Sequence, residues 1–259
     1  MEDLKITLVQ VPLIWENEEK NLEQFDSCLI SILPHQTDLI ILPEMFNTGF
    51  TMNAAEVYRE MHSDIVEWMK KTAAIKKAAV TGSLIIKENN QYFNRLLWVF
   101  PDGNIQTYDK RHLFRMASEN QVFSAGKNKL IVEWKGWKIC PLICYDLRFP
   151  VWSRNTGDYD LLIYIANWPE KRSYAWKNLL IARAIENQAF VAGVNRTGID
   201  GLGIEYAGGS LVAGPMGEII RSTLPNEACI ETVELSAENI IQFRKTFPAY
   251  LDADTFSIT

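Results

Sequence analysis

The chain has 259 residues, with 26 Lys or Arg against 32 Asp or Glu and a formal net charge of −6. No dense basic block accompanies that balance, which excludes nucleic acid and anionic membranes as main partners, since both need concentrated positive charge. Hydrophobic residues at 47% and charged residues at 22% describe an ordinary soluble globular chain, long enough to bury a large core without disulfides or metals.

In chain order, residues 5–11 read as a strand, and residues 18–33 carry Leu22, Phe25, Leu29 and Leu33 at helical spacing. Residues 38–42 form a short apolar strand stopped by Pro43. A helix is expected over 65–78, then strands over 79–87 and 92–100 joined by the polar Glu88-Asn89-Asn90 turn. Pro101-Asp102-Gly103-Asn104 is a second hairpin-type turn, leading into a strand over 105–108. The second half repeats this style. Strands over 130–134 and 137–143 flank Lys135-Gly136, a helix-like segment follows at 147–154, an apolar strand covers 161–166, and a helix covers 174–188. Further strands are expected over 190–195, 209–213, 218–222 and 229–234, and a last helix over 236–244. With no linker or low-complexity segment, the expectation is one domain over 1–259, of α/β class, with stacked sheets covered by helices.

No apolar run approaches the roughly 18 residues that cross a bilayer, and the charged Met1-Glu2-Asp3 start does not read as a signal peptide. Four scattered cysteines (Cys28, Cys140, Cys144, Cys229) make no disulfide scaffold, so a reducing cytoplasm is the expected home, where a thiol is free to be a catalyst. With only His35, His62 and His112, and no Cys-x-x-Cys pair, nothing in the sequence calls for a metal or other cofactor.

Three apolar runs end in residues that can do chemistry. Leu39-Ile40-Ile41-Leu42-Pro43-Glu44 places a carboxylate beyond a strand, Tyr108-Asp109-Lys110-Arg111-His112 an ammonium, and Ile139-Cys140-Pro141-Leu142-Ile143-Cys144 a thiol. Taken singly, each has an ordinary explanation: a first solvated loop acid, a surface lysine, a small buried hydrophobe. Taken together, Leu42-Pro43-Glu44, Asp109-Lys110-Arg111-His112-Leu113-Phe114 and Ile143-Cys144-Tyr145-Asp146-Leu147-Arg148-Phe149-Pro150 resemble, in order, the three blocks of the nitrilase superfamily of carbon–nitrogen hydrolases.

The resemblance implies a four-layer α-β-β-α sandwich, at least a homodimer, and a site where Glu44, Lys110 and Cys144 meet. It assigns Cys144 as nucleophile, Glu44 as general base, and Lys110 with the Tyr145 backbone N–H as oxyanion donors. Lys110 and a helix N-terminus are expected to lower the Cys144 pKa. Glu119 falls where family members often carry a second glutamate and is expected to hold Lys110; the alternative is an exposed loop acid. Pro43–Phe50, Ala166-Asn167-Trp168-Pro169, Arg183–Gln188 and Gly193-Val194-Asn195-Arg196 resemble the omega-amidase branch, which implies a small 2-oxo-dicarboxylate monoamide as substrate.

Such a substrate carries a carboxylate, for which Arg148 is the first candidate and Arg111 and Arg196 the next; a salt bridge from Arg148 to Asp146 or Glu186 is the competing reading. Phe46, Tyr145 and Trp168 are expected to wall the pocket, with ordinary core packing the alternative for Phe46 and Trp168. Cys140 is read as buried packing and His112 as a residue that orders its loop. An N-carbamoyl or nitrile hydrolase on the same fold would share all three central residues. A non-catalytic scaffold would usually have lost one, and Gly209-Ser210 lacks the G-x-S-x-G spacing of a serine hydrolase.

Overall fold

Runs of β-branched and aliphatic residues flanked by turn residues form fourteen strands. A computed structural model describes residues 1–258. In chain order they are β1 (Leu4–Gln10), β2 (Leu39–Ile41), β3 (Ala79–Glu88), β4 (Gln91–Val99), β5 (Ile105–Asp109), β6 (Val132–Trp134) and β7 (Trp137–Ile143). The second half adds β8 (Leu161–Ala166), β9 (Phe190–Asn195), β10 (Thr197–Ile199), β11 (Glu205–Ala207), β12 (Leu211–Ala213), β13 (Ile219–Ser222) and β14 (Cys229–Leu235). The helices are α1 (Glu18–Leu29), α2 (Ala54–Val57), α3 (Asp64–Lys76), α4 (Glu119–Val122), α5 (Pro150–Ser153), α6 (Ser173–Asn187) and α7 (Ala237–Thr246).

Two six-stranded sheets result, ordered β14-β1-β2-β3-β4-β5 and β13-β12-β9-β8-β7-β6. Each is built on three parallel strands, β1-β2-β3 in one and β7-β8-β9 in the other, flanked by antiparallel neighbours. Parallel central strands are buried on both faces, which is why β2 and β8 read as unbroken apolar runs.

The period-two alternation of side chains sorts those runs into layers. Leu39 and Ile41 of β2 join Leu4, Ile6 and Leu8 of β1 in a core shared with β7, β8 and β9, and Ile40 points the other way, against Phe25 of α1 and Met69 of α3. Trp176, Leu180 and Ala184 of α6 close the far face of the second sheet. The order is therefore helix, sheet, sheet, helix: a four-layer α-β-β-α sandwich. Gln10 fastens the two sheets, accepting from Ser210 Oγ (2.8 Å) and Thr223 Oγ1 (2.8 Å) while donating to the Leu224 and Glu227 carbonyls.

Most elements lie within two residues of their sequence expectation, and three departures have clear causes. The first helix stops at Leu29 instead of 33, because Ile32 turns back and Leu33 is exposed. The 147–154 segment is two short pieces, a 3-10 turn over Cys144–Arg148 and then α5, divided where Pro150 opens α5. The β10–β11 hairpin was not expected, its three-residue strands being hidden among Gly198, Gly201 and Gly203. Among the described residues, no helix is long and apolar enough to cross a membrane.

Candidate active site

β2, β5, β7 and β8 each deliver one polar residue at or just beyond the C-terminal end, where open sheets expose side chains. Glu44 follows β2 by three residues, Lys110 follows β5, Cys144 follows β7 and Asn167 follows β8. The first two are fixed by neighbours in their own sheet: Lys110 N donates to the Asn94 carbonyl of β4 (3.0 Å), and Met45 N donates to Ser83 Oγ of β3 (2.9 Å).

The structure brings Glu44, Lys110 and Glu119 into one buried cluster, with side-chain exposures of 0%, 1% and 0%. Lys110 Nζ lies 2.8 Å from Glu44 Oε1 and 3.0 Å from each Glu119 oxygen. Asn94 Nδ2 donates to Glu44 Oε1 (2.8 Å) and reaches Glu119 Oε1 at 3.3 Å. Backbone groups complete the carboxylates: Asn167 N donates to Glu44 Oε2 (2.9 Å) and Phe114 N to Glu119 Oε2 (2.6 Å). Burial alone would lower the Lys110 ammonium, but Glu119, Glu44 and Cys144 together hold its pKa well above the ordinary lysine value. Burial raises Glu119, against the opposing pull of Lys110.

Cys144 is buried beside this cluster, its Sγ 3.8 Å from the Asn167 carbonyl. Its φ of 42° puts a non-glycine residue in the left-handed region at the sharp turn from strand to 3-10 helix, a conformation that costs on the order of 1–3 kcal/mol and lifts a side chain out of the sheet. Met45, next to Glu44, has φ 43°. The pKa expectation for Cys144 needs correction. Burial, followed by the Glu44 carboxylate, pushes the thiol well above its usual range, and the pull of Lys110 in the other direction is smaller.

Asp146 locks this turn to the lysine loop. Its Oδ2 accepts from Tyr108 Oη (2.7 Å) and Ile143 N (3.1 Å), and its Oδ1 from His112 N (3.0 Å), with His112 Nδ1 at 2.8 Å. The His112 ring stacks on Phe149 at 3.7 Å. Tyr108 Oη in turn accepts from Trp152 Nε1 (3.0 Å).

Cys144 and Lys110 stand in the wall of a cavity of about 440 Å³, whose sides are largely aromatic and aliphatic: Trp15, Phe50, Met52, Phe114, Trp168 and Leu202 among them. A thiol and an ammonium in the wall of an apolar cavity, with the Glu44 carboxylate buried behind them on Lys110, are the parts needed for attack on a carbonyl carbon.

The sequence matches the family described as Carbon-nitrogen hydrolase over residues 5–245. The chain belongs to the carbon–nitrogen hydrolase family. It is therefore a hydrolase acting on carbon–nitrogen bonds. Among relatives, it is 50% identical over 258 residues to the Omega-amidase YafV of Escherichia coli (strain K12), covering 100% of both chains. It is 34% identical over 254 residues to the 2-oxoglutaramate amidase of Bacillus subtilis (strain 168), covering 95% of this chain and 96% of that one. A crystal structure of a CN-hydrolase superfamily protein from Xanthomonas campestris, with an arsenic adduct in its active site, superposes with a TM-score of 0.97 at 44% identity over the whole of both chains.

Within this family fold, the residues expected on the substrate side divide. Tyr145, Arg148 and Trp168 line the cavity. The Arg148 guanidinium lies over the Trp168 ring at 5.1 Å, and neither Asp146 nor Glu186 pairs with it; Glu186 pairs with Arg183 and Asp146 is engaged by His112 and Tyr108. Phe46 is a correction: it does not line the cavity but packs edge-on against Phe25 and beside Trp68, in the core under α1 and α3. Arg196 is buried and does not line the cavity, its Nε and Nη2 donating to the carbonyls of Thr197 and Leu13, and Arg111 lies over Trp152, outside the cavity. Cys140 is buried in the core between the sheets.

Sequence reasoning missed Asn94, which bridges the two glutamates from the middle of a strand, and Arg172, a second arginine in the cavity wall. Asn94 had one available signal, an amide at the start of the buried run of β4, where a buried polar group needs partners.

Proposed function

We propose that this protein hydrolyses the terminal amide of a small 2-oxo-dicarboxylate monoamide, of the 2-oxoglutaramate or 2-oxosuccinamate type, to the acid and ammonia. The observation that carries this reading is Arg148, an arginine without a carboxylate partner in the same apolar cavity as Cys144. The naming of two relatives as Omega-amidase and 2-oxoglutaramate amidase supports it.

In this mechanism Glu44 takes the proton from the Cys144 thiol as sulfur bonds to the amide carbon. Lys110 has three N–H donors. With one on Glu44 and one shared between the Glu119 oxygens, the third meets the oxyanion, together with the Tyr145 backbone N–H. Glu44 then returns the proton to the leaving nitrogen, the C–N bond breaks, and ammonia departs from a Cys144 thioester. Water, deprotonated by Glu44, attacks that thioester; the C–S bond breaks, and the acid and the thiol are released. A thiol pKa held up by burial and by Glu44 suits this sequence, in which Glu44 takes the proton as the sulfur attacks. Glu119 holds Lys110 in position.

The protein is read as a single-domain subunit of a cytoplasmic homodimer. Exposed Tyr174 and Ile185 on α6, and Phe247 and Leu251 beyond α7, are apolar surface of the kind self-association covers, and all four cysteines are free thiols. The apolar wall of the cavity favours one second reading, an uncharged aliphatic amide as substrate. Ammonia release measured across 2-oxoglutaramate, 2-oxosuccinamate, butyramide, an N-carbamoyl amino acid and a nitrile separates the readings. The 2-oxo acids are expected to give the highest kcat/KM, and a preference for butyramide overturns the 2-oxo acid reading.

A further inference from the structure

A second guanidinium shares the cavity with Arg148. Arg172 ends the 3-10 turn Glu170–Arg172 that leads into α6, and it is half-buried. Its guanidinium lies over the Phe114 ring at 5.3 Å, with Nη2 3.7 Å from Met116 Sδ. Phe114 and Met116 belong to the loop between Lys110 and Glu119, so this cation sits against the segment that carries the buried ion cluster. Trp168 joins the two arginines: its ring lies under Arg148, and its Nε1 donates to the Arg172 carbonyl at 2.9 Å.

Neither arginine has an acid to hold. Among the described residues, the arginine ion pairs within 4.0 Å are those of Arg59, Arg95, Arg183, Arg221 and Arg244. The cavity wall does contain the carboxylate of Asp200, but its own hairpin occupies it. Oδ1 accepts from Leu202 N (2.8 Å) and Ile204 N (2.9 Å), and Oδ2 from Tyr206 Oη (2.9 Å). Two guanidinia with no acid partner, resting on aromatic faces, keep N–H donors for a ligand, the Arg172 Nη2 contact to Met116 Sδ being to a weak acceptor. In a cavity with apolar sides, their attraction for an anion is screened less than in open water.

We infer that Arg172 is a specificity-determining residue, which with Arg148 forms a two-guanidinium subsite for the anionic end of the substrate. The inference rests on the amidase reading above and narrows it. A carboxylate next to an oxo group presents three acceptor oxygens, more than one bidentate fork can fill. Two guanidinia match that group, whereas the ammonium of an α-amino acid amide is repelled by both.

The test uses the intact enzyme and two amides. In the wild type, the ratio of kcat/KM for 2-oxosuccinamate to that for butyramide reads the substrate assignment by itself. Arg172→Gln is expected to lower that ratio about tenfold or more, through KM for the acid, as when one charge-assisted hydrogen bond is lost. Arg172→Lys restores part of it. If Arg172 only props Phe114, both amides lose together and the ratio stands, which overturns the inference. A second arm needs no turnover of the acid: competitive inhibition of butyramide hydrolysis by 2-oxoglutarate is expected to weaken about tenfold in Arg172→Gln. An inhibition constant within about twofold of the wild-type value also overturns it.

Discussion

Lys110 lies between two buried carboxylates, so its cluster has one more negative than positive group when all three are ionised. That excess, together with burial, explains why the adjacent Cys144 thiol is pushed up and not down. The consequence is specific: an electrophile attacked at a saturated carbon, not at a carbonyl, still depends on Glu44 to remove the thiol proton. Glu44→Gln keeps the shape of the site and removes the proposed base. Alkylation of Cys144 by iodoacetamide, followed by peptide mass spectrometry, is expected to slow at least about tenfold in this variant, within the range general base catalysis contributes. Alkylation at the wild-type rate would show that the thiolate forms without Glu44. Cys140 should stay unlabelled in both proteins, since burial pushes its thiol up to about 12 and the core covers it.

At the scale of elements, the site depends on how two loops are held together. Asp146 accepts from β5 and the lysine loop through Tyr108 and His112 and from the strand that precedes Cys144 through Ile143 N. Asp146→Asn turns one acceptor oxygen into a donor that faces other donors. It is expected to cost about 3 kcal/mol of stability, the range for a buried charged acceptor left unmatched. Urea denaturation checks this, and a cost under about 0.5 kcal/mol would mean that the loops are held by other contacts. The strand ends that carry Glu44, Lys110 and Cys144 were legible because an apolar run that stops at a polar residue marks where a buried strand meets a loop. Long-range partners were not legible. Asn94 and Glu44 are fifty residues apart, and only the pairing of β2 with β3 and of β3 with β4 brings them together. Phe46 was misplaced for a related reason: an aromatic residue two positions from Glu44 can face the cavity or the helices, and the left-handed turn at Met45 sends it to Phe25 and Trp68.

Across the whole molecule, one core runs through both sheets and onto α6, and Gln10 fastens the sheets by hydrogen bonds to residues 200 and 213 positions away. Neither sheet can lose its partner without exposing that core. The single-domain reading therefore predicts one cooperative unfolding transition, with tryptophan fluorescence and far-ultraviolet circular dichroism coinciding in urea. Two separated transitions would divide the chain into units. The sandwich itself was visible only through the family resemblance, since alternating strands and helices alone fit several layered arrangements.

The central claim is that Cys144 carries the acyl group, and ammonia release from 2-oxosuccinamate by the wild type and by Cys144→Ala tests it most directly. With the circular dichroism spectrum of the variant matching that of the wild type, the account predicts steady ammonia release from the wild type and none above background from Cys144→Ala, because no other group in the cavity wall can form the thioester. Release at the wild-type rate by Cys144→Ala would contradict it.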